Sequence, residues 1–195
     1  GELPLSVDAN NWFSIKHSET DWEGKKEEKD RKHEIIEEFY DPKDSARAIY
    51  RSFWTRNLRN NRGSTFKVGD IFDKTDEFGA YAENTKPYFD TMKDFGYTKD
   101  SIIDLRDKES MKKFFGWLAA IEVGRDYYSK NISPEEKKRV IEEGINKGLD
   151  SLMNDENYKY REQFMNEVNK PLISVEFTGD KEPSQKRYGG TLSVN

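Results

Sequence analysis

Between Asp107 and Val123 the chain carries its most apolar helix pattern, with Met111, Phe114, Phe115, Leu118 and Ile121 recurring at three- and four-residue spacing. That period marks a helix face turned toward a core. Gly124 follows at the position where a glycine commonly closes a helix. In a chain that is 33% apolar and 36% charged, this stretch has to be central, because the core must be compact. Aromatic residues make up 13%, too many for a disordered chain of this polarity. The expectation is a mostly α-helical fold with a thickly charged surface.

The remaining helix signals fit around that element. Asp41-Pro42 is a strong start, since Asp accepts orphan backbone N–H groups and Pro is preset for the first helical position. From there Ala46, Ile49, Tyr50, Phe53, Trp54 and Leu58 form a stripe that Asn60-Asn61-Arg62-Gly63 ends. A short helix is expected over 67–73 and another from Thr85, with Pro87 in its first turn and Gly96 as its stop. Thr75 to Asn84 reads as a loop, and Ile102, Ile103 and Leu105 as a brief apolar link. Ser133-Pro134-Glu135-Glu136 matches a capping box and opens a helix to about Met153. A further helical stretch carries Tyr160, Phe164 and Val168. Residues 1–32 read as an extended entry segment followed by a charged loop, and Leu172, Ile173, Val175 and Phe177 as a strand or docked arm. The start Gly1-Glu2-Leu3-Pro4 reads as a processed or excised piece of something longer.

Several functions are disfavoured at once. The net charge is −5 with acids and bases interspersed, unlike an electrostatic footprint for nucleic acid. There is no cysteine, which removes disulfides, thiol nucleophiles and sulfur-ligated zinc. Two histidines make a histidine-rich metal site improbable, and no apolar run is long enough to span a membrane. No metal or organic cofactor is implied.

Two carboxylates stand out for chemistry. At about 100° per residue, Glu122 falls within roughly 50° of the centre of the apolar face of its helix. A carboxyl at the rim of an apolar surface favours its neutral form, as an acid that protonates a leaving sugar oxygen must. The plainer alternative has Glu122 ending a helix in solvent or pairing with Arg125. Glu83 offers a second carboxylate, provided the pair converges to about 5–9 Å, and Asn84 a partner for a sugar acetamido group. Otherwise Glu83 is a solvated loop residue, with Asn84 or Thr85 as an N-cap. Asn10, Asn11, Trp12 and Phe13, with Trp22 close behind, combine amides and rings in a way that suits sugar hydroxyls and pyranose faces. Equally, such an arm could plug a core with its rings.

In order, these pieces resemble a family of phage virion-associated proteins of structural or lytic-transglycosylase-like type, related to lysozyme folds. The resemblance rests on Asn10, Asn11, Ile15 and Lys16; on Trp22 and Gly24; on Phe39 to Ala48; on Phe66 to Ile71; on Glu83, Asn84 and Tyr88; and on Glu122 with Gly124. It covers about residues 10–124. Where the family has Pro-Gly-Asn in its opening motif, this chain has Trp12-Phe13-Ser14, closer to a stretch of bacterial glucosaminidases whose catalytic Glu lies upstream. Only Glu2 and Asp8 lie upstream here.

The resemblance implies a lysozyme-like domain over residues 8–126, with a helical extension and terminal arm over 127–195. It implies cleavage of peptidoglycan glycan strands by a virion protein acting in the host cell envelope. Glu122 and Glu83 would be catalytic, and Asn10, Asn11, Trp22, Asn84 and Tyr88 would contact substrate. Other virion proteins would be further partners. The rival expectation is a non-enzymatic virion or assembly protein that keeps the scaffold, and a bacterial wall enzyme unrelated to phage is a third.

Overall fold

A computed structural model describes residues 2–73 and 81–172 of the 195. Among the described residues there are seven α-helices: α1 Leu5–Asp8, α2 Pro42–Arg59, α3 Lys86–Thr91, α4 Lys108–Val123, α5 Arg125–Asn131, α6 Pro134–Asn154 and α7 Arg161–Val168. Two three-residue strands, β1 Thr65–Lys67 and β2 Ile102–Asp104, pair antiparallel with Phe66 opposite Ile103. The fold is mostly helical, as the periodicity predicts. No described helix is long and apolar enough to cross a membrane.

The helix ends follow their caps. Asp41 Oδ1 accepts from Lys43 N–H at 2.8 Å, Asp107 Oδ1 from Ser110 N–H at 3.2 Å, and Ser133 Oγ from Glu136 N–H at 3.1 Å. Each bond satisfies a donor that the first helical turn leaves without an internal partner. Gly124 takes φ +112° and ends α4, and Gly96 takes φ +81° after the 3₁₀ turn Met92–Phe95. The short helix expected over 67–73 is a 3₁₀ turn, Val68–Phe72.

Two compact units divide the chain, each assembled from separate stretches: Gly1–Ser52 with Phe114–Gly148, and Phe53–Lys113 with Leu149–Asn195. The division expected near residue 126 therefore falls inside unit 1, and residues of the expected extension are integral to it. The reason is a close approach of α6 to α2. A Cβ on Gly144 would collide with that of Ala46 and lie 2.7 Å from the carbonyl oxygen of Lys43. One on Gly148 would lie 2.9 Å from the Tyr50 ring and 3.2 Å from Arg47 O. The unit 1 core then closes with Phe13 against Phe115 (5.2 Å between centroids) and Trp12 edge-on to Tyr128 (5.7 Å).

Unit 2 is built on rings. Phe53 stacks on Phe66 of β1 at 5.6 Å, Trp54 meets Phe164 of α7 edge-on at 4.8 Å, and Phe72 packs on Tyr88 of α3 at 4.9 Å. The strand pair, α1 and α5 are the elements that periodicity does not predict; α1 replaces part of the entry segment expected to be extended. Of the arm expected over 171–195, residues 173–195 lie outside the described residues, as do loop residues 75–80.

A paired substitution tests the packing of α6. An interior helical glycine replaced by alanine ordinarily gains about 1 kcal/mol, and a Cβ added to Gly116 of α4 would meet nothing within 4 Å. We expect Gly116→Ala to raise the urea midpoint, while Gly144→Ala lowers stability by about 1–3 kcal/mol through overpacking. Equal responses at the two positions would contradict the contact.

Candidate functional site

The entry segment of unit 1 has hardly any regular structure, yet it is tightly held. Asn10 adopts φ +52° and Ser14 φ +53°, so the chain doubles back sharply between them. Asn11 is fully buried. Its amide N–H groups donate to Ile15 O (2.9 Å) and Glu37 O (2.8 Å), and its Oδ1 accepts from Ile15 N–H (3.0 Å). The side chain thus acts as a substitute strand that joins two stretches of backbone. Asn10 Nδ2 does similar work, donating to Phe39 O at 3.0 Å and Tyr40 O at 3.2 Å.

Glu37 and Glu38 are both fully buried. On an extended backbone adjacent side chains point to opposite faces, and the two carboxylates meet different partners. Glu37 Oε1 lies 2.9 Å from His17 Nδ1, and Oε2 lies 3.5 Å from Lys25 Nζ. Arg31 Nη1 lies 3.0 Å from the other imidazole nitrogen, His17 Nε2. Arg31 Nη2 donates to the carbonyls of His33 (2.6 Å) and Ile36 (3.2 Å), which folds the loop around it.

Glu38 Oε2 accepts from the backbone N–H of Lys32 (2.6 Å) and His33 (2.7 Å), with Lys26 Nζ 3.7 Å from Oε1. Burial alone would raise this carboxyl, but the two backbone donors, with the charges of His33 and Lys26, outweigh it and hold it below the usual value. The pinned backbone presents His33, whose Nε2 lies 2.8 Å from Asp8 Oδ2. Asp8 is lowered by that bond and by Lys32 Nζ at 3.1 Å. Asp8 and His33 line an open cleft of about 540 Å³ with Glu2, Leu3 and Leu5.

The carboxylate and amide residues singled out by sequence separate between the units. Unit 1 holds Asn10, Asn11, Trp22 and Glu122, whereas Glu83, Asn84 and Tyr88 belong to unit 2. Glu122 is half-buried in the last turn of α4. Its backbone carbonyl accepts from Ser6 Oγ at 3.2 Å, which ties α1 to that turn. Trp22 is half-buried and opens a turn closed by Lys25 N–H on Trp22 O at 3.2 Å. Gly24, at φ +79°, leaves no room for a Cβ because the Asp44 carboxylate packs there.

Asn11, expected to meet sugar hydroxyls, instead joins backbone segments. Tyr88, expected at substrate, is 1% exposed within the Phe72 and Tyr81 rings. Glu83 and Asn84 are exposed, and Asn84 Oδ1 accepts from Lys86 N–H at 3.2 Å at the start of α3. That bond closes a local turn ahead of α3, whose N-cap position is Thr85.

Sequence reading passed over the Glu37–Glu38 pair. The available signal was the run Ile35-Ile36-Glu37-Glu38-Phe39-Tyr40, in which two acids are embedded in apolar residues, with His33 and a lysine-rich loop just upstream. Among the described residues no group of three or more His, Asp or Glu is arranged to hold a metal ion. No protein-family model matches the chain, and no curated protein matches it either.

The charge pattern sets the response to acid. Asp8, Glu38, Asp41 and Glu136 are held below their ordinary values. A carboxyl lowered on folding contributes stability that is present above its unfolded value and lost as pH falls through the folded one. Asp44 is raised, chiefly by burial, so its contribution has the opposite sign and is lost as pH rises. Four against one predicts a urea midpoint that falls as pH drops below about 5, with a shallower fall in Glu38→Gln. A midpoint flat from pH 7 to 4 would contradict an ionised Glu38 held by the N–H groups of Lys32 and His33.

Proposed function

We propose that this protein cleaves peptidoglycan glycan strands through a lysozyme-like unit, as a phage virion-associated protein acting in the host envelope. Glu122 carries the reading. It is a half-exposed carboxyl in the last turn of α4, a helix in which Met111, Phe114, Phe115, Trp117 and Leu118 are fully buried. A general acid has to be held rigidly and still reach solvent-borne substrate. Asp8 is partly exposed too, but its bonds to His33 and Lys32 favour the ionised form, which is the wrong one for an acid.

One carboxyl suffices for the transglycosylase form of the reaction. As the acid, Glu122 gives its proton to the glycosidic oxygen while the bond from that oxygen to the anomeric carbon breaks. As the resulting carboxylate, it takes the proton of the sugar's own 6-hydroxyl while that oxygen closes onto the anomeric carbon. The product is an anhydro sugar, lighter by one water than the hydrolysis product, and the acid is restored.

A second reading is a wall-binding or assembly protein that keeps the scaffold without the chemistry. The observation favouring it is that Asn11 and Tyr88 are buried and engaged in the framework, which removes two of the expected substrate contacts.

Purified sacculi separate the two. The parent is expected to release muropeptides, with anhydro products visible by mass, and Glu122→Gln to lose about 10²-fold or more in rate. Glu83→Gln, measured separately, reports whether the unit 2 carboxylate participates. A parent that binds sacculi without release supports the second reading, and full activity in Glu122→Gln overturns the assignment of the acid.

A further inference from the structure

Unit 2 contains an open cleft of about 470 Å³ whose lining is dominated by carboxamides: Asn61, Gln163 and Asn166, with Glu167 and Lys170, over Leu58. Its two walls are the turn that ends α2 and the outer side of α7. Both walls are fixed by buried groups. Asn57, 2% exposed, donates through Nδ2 to Gly63 O (3.1 Å) and Thr65 O (2.9 Å), which sets the α2 turn. Arg106, 7% exposed and paired with Asp104 at 2.8 Å, donates to Lys170 O at 2.8 Å and holds the end of α7. Gly63, at φ +71°, leaves space for the Glu167 carboxylate, since a Cβ there would lie 2.8 Å from Oε1. Lys170 Nζ, 2.6 Å from Glu167 Oε2, fixes the opposite edge of that carboxylate.

The polar inventory is specific. Each carboxamide presents two donors and an acceptor, the carboxylate adds acceptors, and the ammonium adds donors. Asn61 and Asn166 are exposed with Gln163, so these groups face solvent. A dense, mixed set of donors and acceptors on a rigid frame complements a ligand that is itself mixed at every position. Vicinal hydroxyls and an acetamido group have that character, and the volume lies within the range of small-ligand sites, roughly 300–1,000 Å³.

We infer that this cleft binds an acetamido-sugar saccharide, as a glycan-contact site in unit 2 separate from Glu122. The choice of sugar rests on the glycan-strand proposal, whereas the cleft's donor and acceptor chemistry does not. The site draws on α7, which lies beyond the stretch covered by the family resemblance, and gives that helix a task.

The test is titration of the ¹⁵N-labelled full chain with the trisaccharide of N-acetylglucosamine, reading the side-chain NH₂ resonances of Asn61, Gln163 and Asn166. The three are expected to shift together and saturate, and the double variant Gln163→Ala/Asn166→Ala to bind about tenfold more weakly or worse. Asn61→Ala alone provides the same readout should the double variant fold poorly. Absence of shifts at millimolar sugar, or shifts that survive the substitutions, overturns the inference. So does a response of these amides to a wall stem peptide in place of the sugar. Because binding is read without cleavage, failure to release muropeptides with these shifts intact would count against the catalytic proposal alone.

Discussion

Two adjacent buried carboxylates organise the part of the molecule that has almost no regular structure. Residues 9–41 contain one 3₁₀ turn, Glu28–Asp30, and two isolated bridges, Lys16 to Ile36 and Lys25 to Phe39. That is too little ladder to hold a loop of this length against its conformational entropy, which is about 1–2 kcal/mol per residue. Glu37 and Glu38 provide the rest, gathering His17, Lys25, Arg31, Lys26 and the backbone N–H groups of Lys32 and His33. A buried ion network is weak evidence of net stability, because desolvation offsets much of the attraction. Its effect here is specificity: with acids on both faces of one extended stretch, a one-residue slip would exchange their partners and leave charges buried and unpaired.

That frame is continuous with the helices. Phe39 N–H donates to Ala9 O at 3.0 Å and Tyr40 N–H to Gly24 O at 2.9 Å, immediately before Asp41 caps α2. Arg139 of α6 then lies 3.2 Å from Asp41 Oδ2 while also pairing with Glu136. One residue therefore serves both the cap of α2 and the first turns of α6. The glycines at 144 and 148 allow those two helices to approach closely enough for the contact.

Helices were legible because their causes are local. Asp41-Pro42, Ser133 to Glu136 and Gly96 act within one turn of themselves, and the stripe from Met111 to Leu118 repeats in sequence. The strand pair was not, since Thr65 and Asp104 meet across almost forty residues and three residues are too few to show alternation. Helix α5, Arg125-Asp126-Tyr127-Tyr128-Ser129-Lys130-Asn131, has one buried ring and a polar remainder, so its pattern does not stand out from a loop. Trp12 and Phe13 fitted either a sugar platform or a core, and burial makes both of them core.

The amides show where reading of a site from sequence runs out in physical terms. An asparagine that recognises a ligand and one that replaces a missing strand use the same donors and acceptor. What distinguishes them is whether nearby backbone has carbonyls that secondary structure does not satisfy. Around Asn11 it does: Ile15 and Glu37 lie in a stretch with only isolated bridges, and Asn11 donates to Glu37 O and adds a second donor to Ile15 O, which also accepts from Glu37 N–H at 2.8 Å. At the end of α7 the carbonyls of Glu167 and Lys170 are met by Arg106, while Gln163 and Asn166 are exposed on the helix surface. Helical surface amides are in this sense freer to recognise something than loop amides are, although the loop asparagines carry the more familiar motif.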